Sequence, residues 1–204
     1  MTPQTIGNII GKSFLPDTMN LSKTPPERLY KPVAYDLGYN TAGLPKCCTE
    51  AHRATQWWLN DIINKQLHRK RWVTLYGKSG CGKTHLAIAA KNCLREFGKK
   101  VLYWNWSKLR SASEWSHWNA GDVNILILDD IGSGFTGTDK AREAAASILY
   151  SIMEERLNKW TFFTTNLTPD GLPDVRLASR LFRGQNEVVD MREAGDYAYI
   201  MKRK

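Results

Sequence analysis

One stretch limits what this chain can fold into more than any other. The apolar run Trp72-Val73-Thr74-Leu75-Tyr76 passes straight into Gly77-Lys78-Ser79-Gly80-Cys81-Gly82-Lys83-Thr84, and that loop passes into the helical run His85-Leu86-Ala87-Ile88-Ala89-Ala90. A G-x-x-x-x-G-K-[ST] pattern between a strand and a helix is a phosphate-binding loop. Gly77, Gly80 and Gly82 give the backbone the turns that aim successive N–H groups, those of Lys78, Ser79 and Cys81 among them, at phosphate oxygens. The dipole of the following helix points at the same anion. In that geometry Lys83 reaches the β- and γ-phosphates and the Thr84 hydroxyl takes one position on Mg²⁺. Chance supplies the pattern in roughly one chain per hundred of this length, before the flanking strand and helix are required. The expected ligand is therefore a nucleotide.

Composition narrows the partners. The 204 residues, 42% of them hydrophobic, suit one domain with a sizeable core and its tails, not two full domains. Twenty-nine Lys and Arg against 20 Asp and Glu leave a formal charge of +9, more than a phosphate pocket needs, which points to a polyanion as partner. No apolar run approaches the length of a membrane span, and Met1-Thr2-Pro3-Gln4-Thr5 does not begin a secretory signal, so a cytoplasmic location is expected. Cys47, Cys48, Cys81 and Cys93 include no C-x-x-C pair to seed a zinc site and are expected to be reduced thiols.

Residues 1–46 are rich in Pro, Gly and polar side chains and read as an arm or linker, with a docking segment or a disordered tag at Thr5–Phe14; residues 47–204 read as the core. The periodicity predicts a helix from Thr49 to about Leu67, followed by the basic knot His68-Arg69-Lys70-Arg71. A second strand is expected at Val101–Trp106, then a polar segment holding Trp115 and Trp118 beside Lys108, Arg110 and His117. Two readings of that segment stand side by side: a single-strand nucleic-acid surface of stacking rings and phosphate-tracking cations, or a helix with two core tryptophans. A third strand, Asn124–Leu128, ends in Asp129-Asp130; a long helix spans Asp139–Leu157; a fourth strand, Trp160–Thr165, ends in Asn166. A helix with Arg176, Arg180 and Arg183 on roughly one face precedes a last strand at Glu187–Met191. Strands that alternate with helices give an α/β fold, a central mostly parallel sheet between two helical layers.

Ligands of such sheets sit beyond the carboxyl ends of the strands. A carboxylate directly after an apolar run is costly to bury without a cation, and Mg²⁺ held by Thr84 supplies one. Asp129 is therefore expected to serve Mg²⁺, largely through water, and Asp130 to polarise an attacking water. Asn166 holds that water or the γ-phosphate, or else forms a turn ahead of Pro169.

Together GKSGCGKT, ILILDDIG, the helix LYSIMEER (residues 149–156), TFFTTNL and RLASRL (176–181) resemble the AAA+ ATPases of the DnaC/DnaI type, replicative helicase loaders close to the IstB transposition ATPases. The stretch Thr24–Leu29 looks like the linker ahead of the ATPase core in those loaders. The resemblance implies a three-layer P-loop NTPase with little or no C-terminal lid, Walker A at Gly77–Thr84, Walker B at Asp129 and Asp130, sensor 1 at Asn166 and an arginine finger at Arg180. It further implies ATP and Mg²⁺ bound between subunits of a homo-oligomeric ring or spiral on single-stranded DNA, with a replicative DNA helicase as partner and a phage or mobile element as the setting. Three departures are visible. Asp130 stands where many AAA+ proteins have Glu, which implies slow turnover. Asp196-Tyr197 is followed by Ala198, where loaders often carry a nucleotide-contacting Arg. The helicase-binding domain is expected to be absent or reduced to the first twenty-odd residues. Three other functions fit the same loop: a duplex-binding transposition helper of the IstB type, a small-molecule kinase, and a nucleotide-gated binding module with negligible hydrolysis.

Overall fold

Short runs rich in apolar, β-branched and aromatic residues, with polar residues toward the ends of β3 and β5, become parallel strands: β1 (Trp72–Tyr76), β2 (Val101–Asn105), β3 (Ile125–Ile131), β4 (Trp160–Thr165) and β5 (Asn186–Asp190). They hydrogen-bond in the order β2-β3-β4-β1-β5. The computed structural model describes residues 35–65, 70–108, 123–132, 135, 137–184 and 186–197. Thr5–Phe14, Thr24–Leu29, His68, Arg69, Arg110, the Trp115–Trp118 stretch and Ala198 lie outside them.

Among the described residues four helices cover the sheet: α1 (Lys46–Ile63), α2 (Lys83–Glu96), α3 (Asp139–Glu155) and α4 (Val175–Phe182). Alternate strand residues feed two cores. Val73, Leu75, Ile125, Ile127 and Phe162 pack with Trp58, Leu59, Leu86 and Leu94 of α1 and α2. Trp72, Leu126, Leu128 and Phe163 pack with Leu149, Ile152, Leu177 and Leu181 of α3 and α4. This is the three-layer α/β architecture that the alternation of elements implies. Trp58 is core, edge-on to Phe162 at 5.3 Å and donating from Nε1 to Arg71 O at 3.0 Å.

Several boundaries differ from the sequence reading. The core extends upstream of residue 47: Tyr35, Leu37 and Tyr39 are buried, and the Gln56 amide accepts from Tyr35 N–H at 2.9 Å and donates to Tyr35 O. α4 ends at Phe182 and Arg183 has extended backbone (φ −141°, ψ −178°), so Arg183 does not share a helical face with Arg176 and Arg180. The described half of the basic knot ties strand starts together: Lys70 Nζ donates to Asn186 O at 2.9 Å, and Arg71 donates to Asn158 O.

Arg156, after α3, is fully buried. It donates to Thr161 Oγ1 at 3.2 Å, to Asn124 O at 2.9 Å and Trp160 O at 2.7 Å, and to Val123 O, so one side chain satisfies carbonyls at the entry to β3 and β4. Burial pulls its guanidinium down to about 10. Arg156→Met takes a donor from each of these acceptors and is expected to cost about 3 kcal/mol, a fall in Tm of about 6–12 °C by calorimetry. An unchanged Tm would remove this role from Arg156.

Candidate functional site

The loop 77–84 leaves β1 between β4 and β5, and its glycines are required by what surrounds them. Gly82 has φ +96°, and a Cβ there would lie 2.7 Å from Tyr39 Cε2. A Cβ on Gly77, at φ +153°, would lie 2.7 Å from the Met191 carbonyl carbon. Lys83, 6% exposed, sits inside the loop with Nζ donating to Gly77 O at 2.9 Å and Lys78 O at 2.7 Å. The loop thus wraps its own lysine, and an ammonium that is buried on two carbonyl oxygens and the Cys81 sulfur, all uncharged acceptors, is well suited to a stronger, anionic one.

A cavity of ≈ 270 Å³ opens beside it, lined by Lys83, Thr84, Asp130, Thr164 and Asn166 among others. The sheet order explains this set. β4 lies between β1 and β3, so Thr164 and Asn166 at its carboxyl end stand between the loop and the two aspartates.

β3 runs three residues beyond Leu128 and takes both aspartates into the strand. Its register on β4 slips between Leu128 and Ile131, and Asp130 adopts φ +61°. A bulge of this kind re-aims neighbouring side chains, and here it separates two adjacent carboxylates. Asp129 is fully buried; its Oδ1 accepts from Thr84 Oγ1 at 3.1 Å and Thr164 Oγ1 at 2.5 Å, and its Oδ2 from Tyr103 Oη at 2.7 Å. Asp130 turns toward the cavity, where Asn166 Nδ2 donates to its Oδ1 at 3.3 Å. The Asp130 N–H donates to Thr164 Oγ1 at 2.8 Å, so one hydroxyl braces both acids. Among the described residues no Lys, Arg or His pairs with Asp129. A buried carboxylate with only hydroxyl donors, next to a Thr hydroxyl at the cavity edge, is an oxygen donor set that fits Mg²⁺.

The site includes residues that the sequence reading missed. Tyr103 and Thr164 hold Asp129. His85 and Tyr197 also line the cavity. Tyr39 stacks on Tyr197 at 4.4 Å between centroids and donates to Cys81 O at 3.3 Å, and Tyr197 N–H donates to Gly80 O at 2.8 Å. A segment before α1 and one after β5 therefore meet over the loop, so Tyr197 reaches the site regardless of the residue that follows it. Arg180 is elsewhere: it pairs with Glu154 and stacks with Arg176 on Tyr150, 5.2 and 5.0 Å from the ring centroid.

Sheet and loop together define a P-loop nucleotide-binding protein. The profile of the ATPase family associated with various cellular activities (AAA) matches residues 73–186, more than half of the chain, and the protein belongs to that family. It is similar to the phage-like element PBSX protein XkdC of Bacillus subtilis, 26% identical over 156 residues, which are 71% of this chain and 59% of that protein. Among solved structures it matches a DnaI at TM-score 0.51 and 19% identity, covering 69% of this chain and 81% of that one. It matches a replication initiator DnaA bound to AMPPCP and single-stranded DNA at TM-score 0.50 and 23% identity, covering 67% and 46%. The chain thus spans about three-fifths of XkdC and under half of that DnaA. DnaA and DnaI share its fold equally well, so the membership that follows is that of the AAA family, not of the DnaC/DnaI branch in particular. Among the described residues no helix is long and apolar enough to cross a membrane.

Proposed function

We propose that this AAA protein binds ATP and Mg²⁺ in the cavity between Lys83 and Asp130, hydrolyses the ATP slowly, and assembles with copies of itself on single-stranded DNA in the cytoplasm to load or position a replicative DNA helicase. The observation that carries the ATPase part is the hydrogen-bonded Asp130–Asn166 pair lining one cavity with Lys83 and Thr84. Lys83 takes the β- and γ-phosphates, Asn166 orients a water against Asp130, and Asp130 draws the proton from that water as it attacks. Thr84 and Asp129 would hold Mg²⁺, which when bound would neutralise charge developing on the phosphate oxygens. The aspartate is one methylene shorter than glutamate, holds the water less closely, and makes turnover slow.

The nucleic-acid part rests on the +9 charge, on the loader resemblance, and on a shared fold with a DnaA bound to single-stranded DNA. Similarity to a phage-element protein supports a mobile-element setting. Fluorescence anisotropy of labelled single-stranded and duplex oligonucleotides, with ATP and Mg²⁺ present, tests it. Single strands are expected to bind more tightly, with log affinity falling linearly in log salt at a slope of about −0.7 per phosphate contacted. Preference for duplex, with a transposase recovered from host extract in place of a helicase, would move the protein to the transposition helpers. No binding at low salt sinks the nucleic-acid reading altogether.

A further inference from the structure

We infer that Tyr103 is a positioning residue for the metal site, its hydroxyl fixing the Asp129 carboxylate in the orientation that serves a divalent cation. The inference rests on the assignment of Thr84 and Asp129 to Mg²⁺ made above.

The placement follows from strand periodicity. Along β2, Leu102 and Trp104 pack toward α3 and α4, whereas Val101 and Tyr103 pack toward α1 and α2, the face on which the helix after the phosphate loop lies. β2 is in register with β3 so that Tyr103 stands opposite Ile127, and Asn105 opposite Asp129. Side chains on strands lean along the strand direction, and the phenol of Tyr103 reaches two residues forward to Asp129 Oδ2 at 2.7 Å. Lys91 of α2 lies over the ring at 5.2 Å from its centroid and helps to hold it.

The two oxygens of Asp129 are thereby divided. Oδ1 faces Thr84, the other metal-directed group, and shares Thr164. Oδ2 faces away from that pair and accepts from Tyr103. The phenol hydroxyl, 2.7 Å from Oδ2, is the donor of this bond and the carboxylate oxygen the acceptor. With Oδ2 pinned, rotation about Cβ–Cγ of Asp129 is fixed and Oδ1 stays on the Thr84 side. Without the hydroxyl, a fully buried oxygen loses its donor and the carboxylate is oriented only by the bonds from Thr84 and Thr164 to Oδ1. Removing the hydrogen-bond partner of a metal-binding group typically costs about 10–100-fold in metal affinity.

Tyr103→Phe isolates the effect, because the ring that packs on the core and under Lys91 remains. Binding of a fluorescent ATP analogue to the full chain is measured while Mg²⁺ is titrated, and again in excess EDTA. The half-saturating Mg²⁺ concentration is expected to rise about 10-fold or more in Tyr103→Phe, with the EDTA affinity unchanged and the melting temperature lowered only by the few degrees that one stranded buried acceptor costs. An unchanged Mg²⁺ requirement overturns the inference, and so does an equal loss of affinity with and without metal, which marks Tyr103 as packing only. If nucleotide binding by the parent ignores Mg²⁺ altogether, the metal assignment itself fails and takes the inference with it, an outcome distinct from the other two.

Discussion

Lys83→Ala is expected to abolish ATP binding while the protein still folds, as titration with a fluorescent analogue and a thermal melt check. The Lys83 ammonium is 6% exposed and already desolvated, with Gly77 O and Lys78 O as its oxygen acceptors. Phosphate oxygens replace neutral acceptors by charged ones, and each charge-assisted bond is worth about 1.5–3 kcal/mol. Two such bonds amount to roughly 10²–10⁴-fold in affinity, at 1.36 kcal/mol per decade, enough to take binding out of an ordinary titration range. Affinity within tenfold of the parent would reduce Lys83 to a staple of the loop. Asp130→Asn is the matching experiment. The amide keeps the shape beside Asn166 and removes the group that takes the proton, so binding stays and turnover falls by about 10² or more. Hydrolysis at the parental rate would pass the water-polarising role to another residue.

The loop and the layered fold are legible in the sequence because both are written locally. Glycines at fixed spacing between an apolar strand and a helix have one economical reading, and strand patterns alternating with helical ones have another. What the sequence does not show depends on strand order. Thr164 braces Asp129 and Asp130 only because β4 lies between β1 and β3, and Tyr103 reaches Asp129 only because β2 flanks β3 in the observed register. A signal was present in outline: Tyr103 and Thr164 both fall within two residues of a strand's carboxyl end, the edge where ligands sit. The bulge has no such signal, since nothing in ILILDDIG announces a φ of +61° at Asp130. Tyr39 was hidden by composition. Its neighbours read as linker, and its burial comes from the stack on Tyr197 and the close approach to Gly82, both contacts remote in sequence.

Arg180→Ala is expected to bind ATP normally and to hydrolyse it at least about 10³-fold more slowly, and Lys83→Ala protein is expected to restore part of that rate when mixed in. The sheet geometry argues for action on a neighbour. Arg180 O is within hydrogen-bond reach of the side chain of Asn186, the first residue of β5, so Arg180 lies at the amino-terminal edge of the sheet. Asp190, at the other end of β5, is level with Tyr76, where the phosphate loop begins. The four residue steps between them span about 13 Å at roughly 3.3 Å per residue, beyond the reach of an arginine. A role for Arg180 in hydrolysis therefore requires a second copy whose phosphate loop meets this edge. Its contacts within the chain do not stand in the way: the Glu154 partner is part-exposed (30% and 38% for the two side chains), and such a pair is worth about 0–1 kcal/mol. An arginine finger supplies about 10³–10⁵ in rate, roughly 4–7 kcal/mol, so exchanging Glu154 for a phosphoryl group is strongly favourable. In such an assembly the Lys83→Ala chain would bind no ATP itself but would still offer Arg180 to its neighbour, which is why a mixture is expected to recover activity that neither variant has alone. No recovery in mixtures shown by sedimentation to co-assemble would leave Arg180 as the residue that pins α4 to Tyr150 and Glu154 of α3, and would move the protein toward a solitary kinase or a binding module.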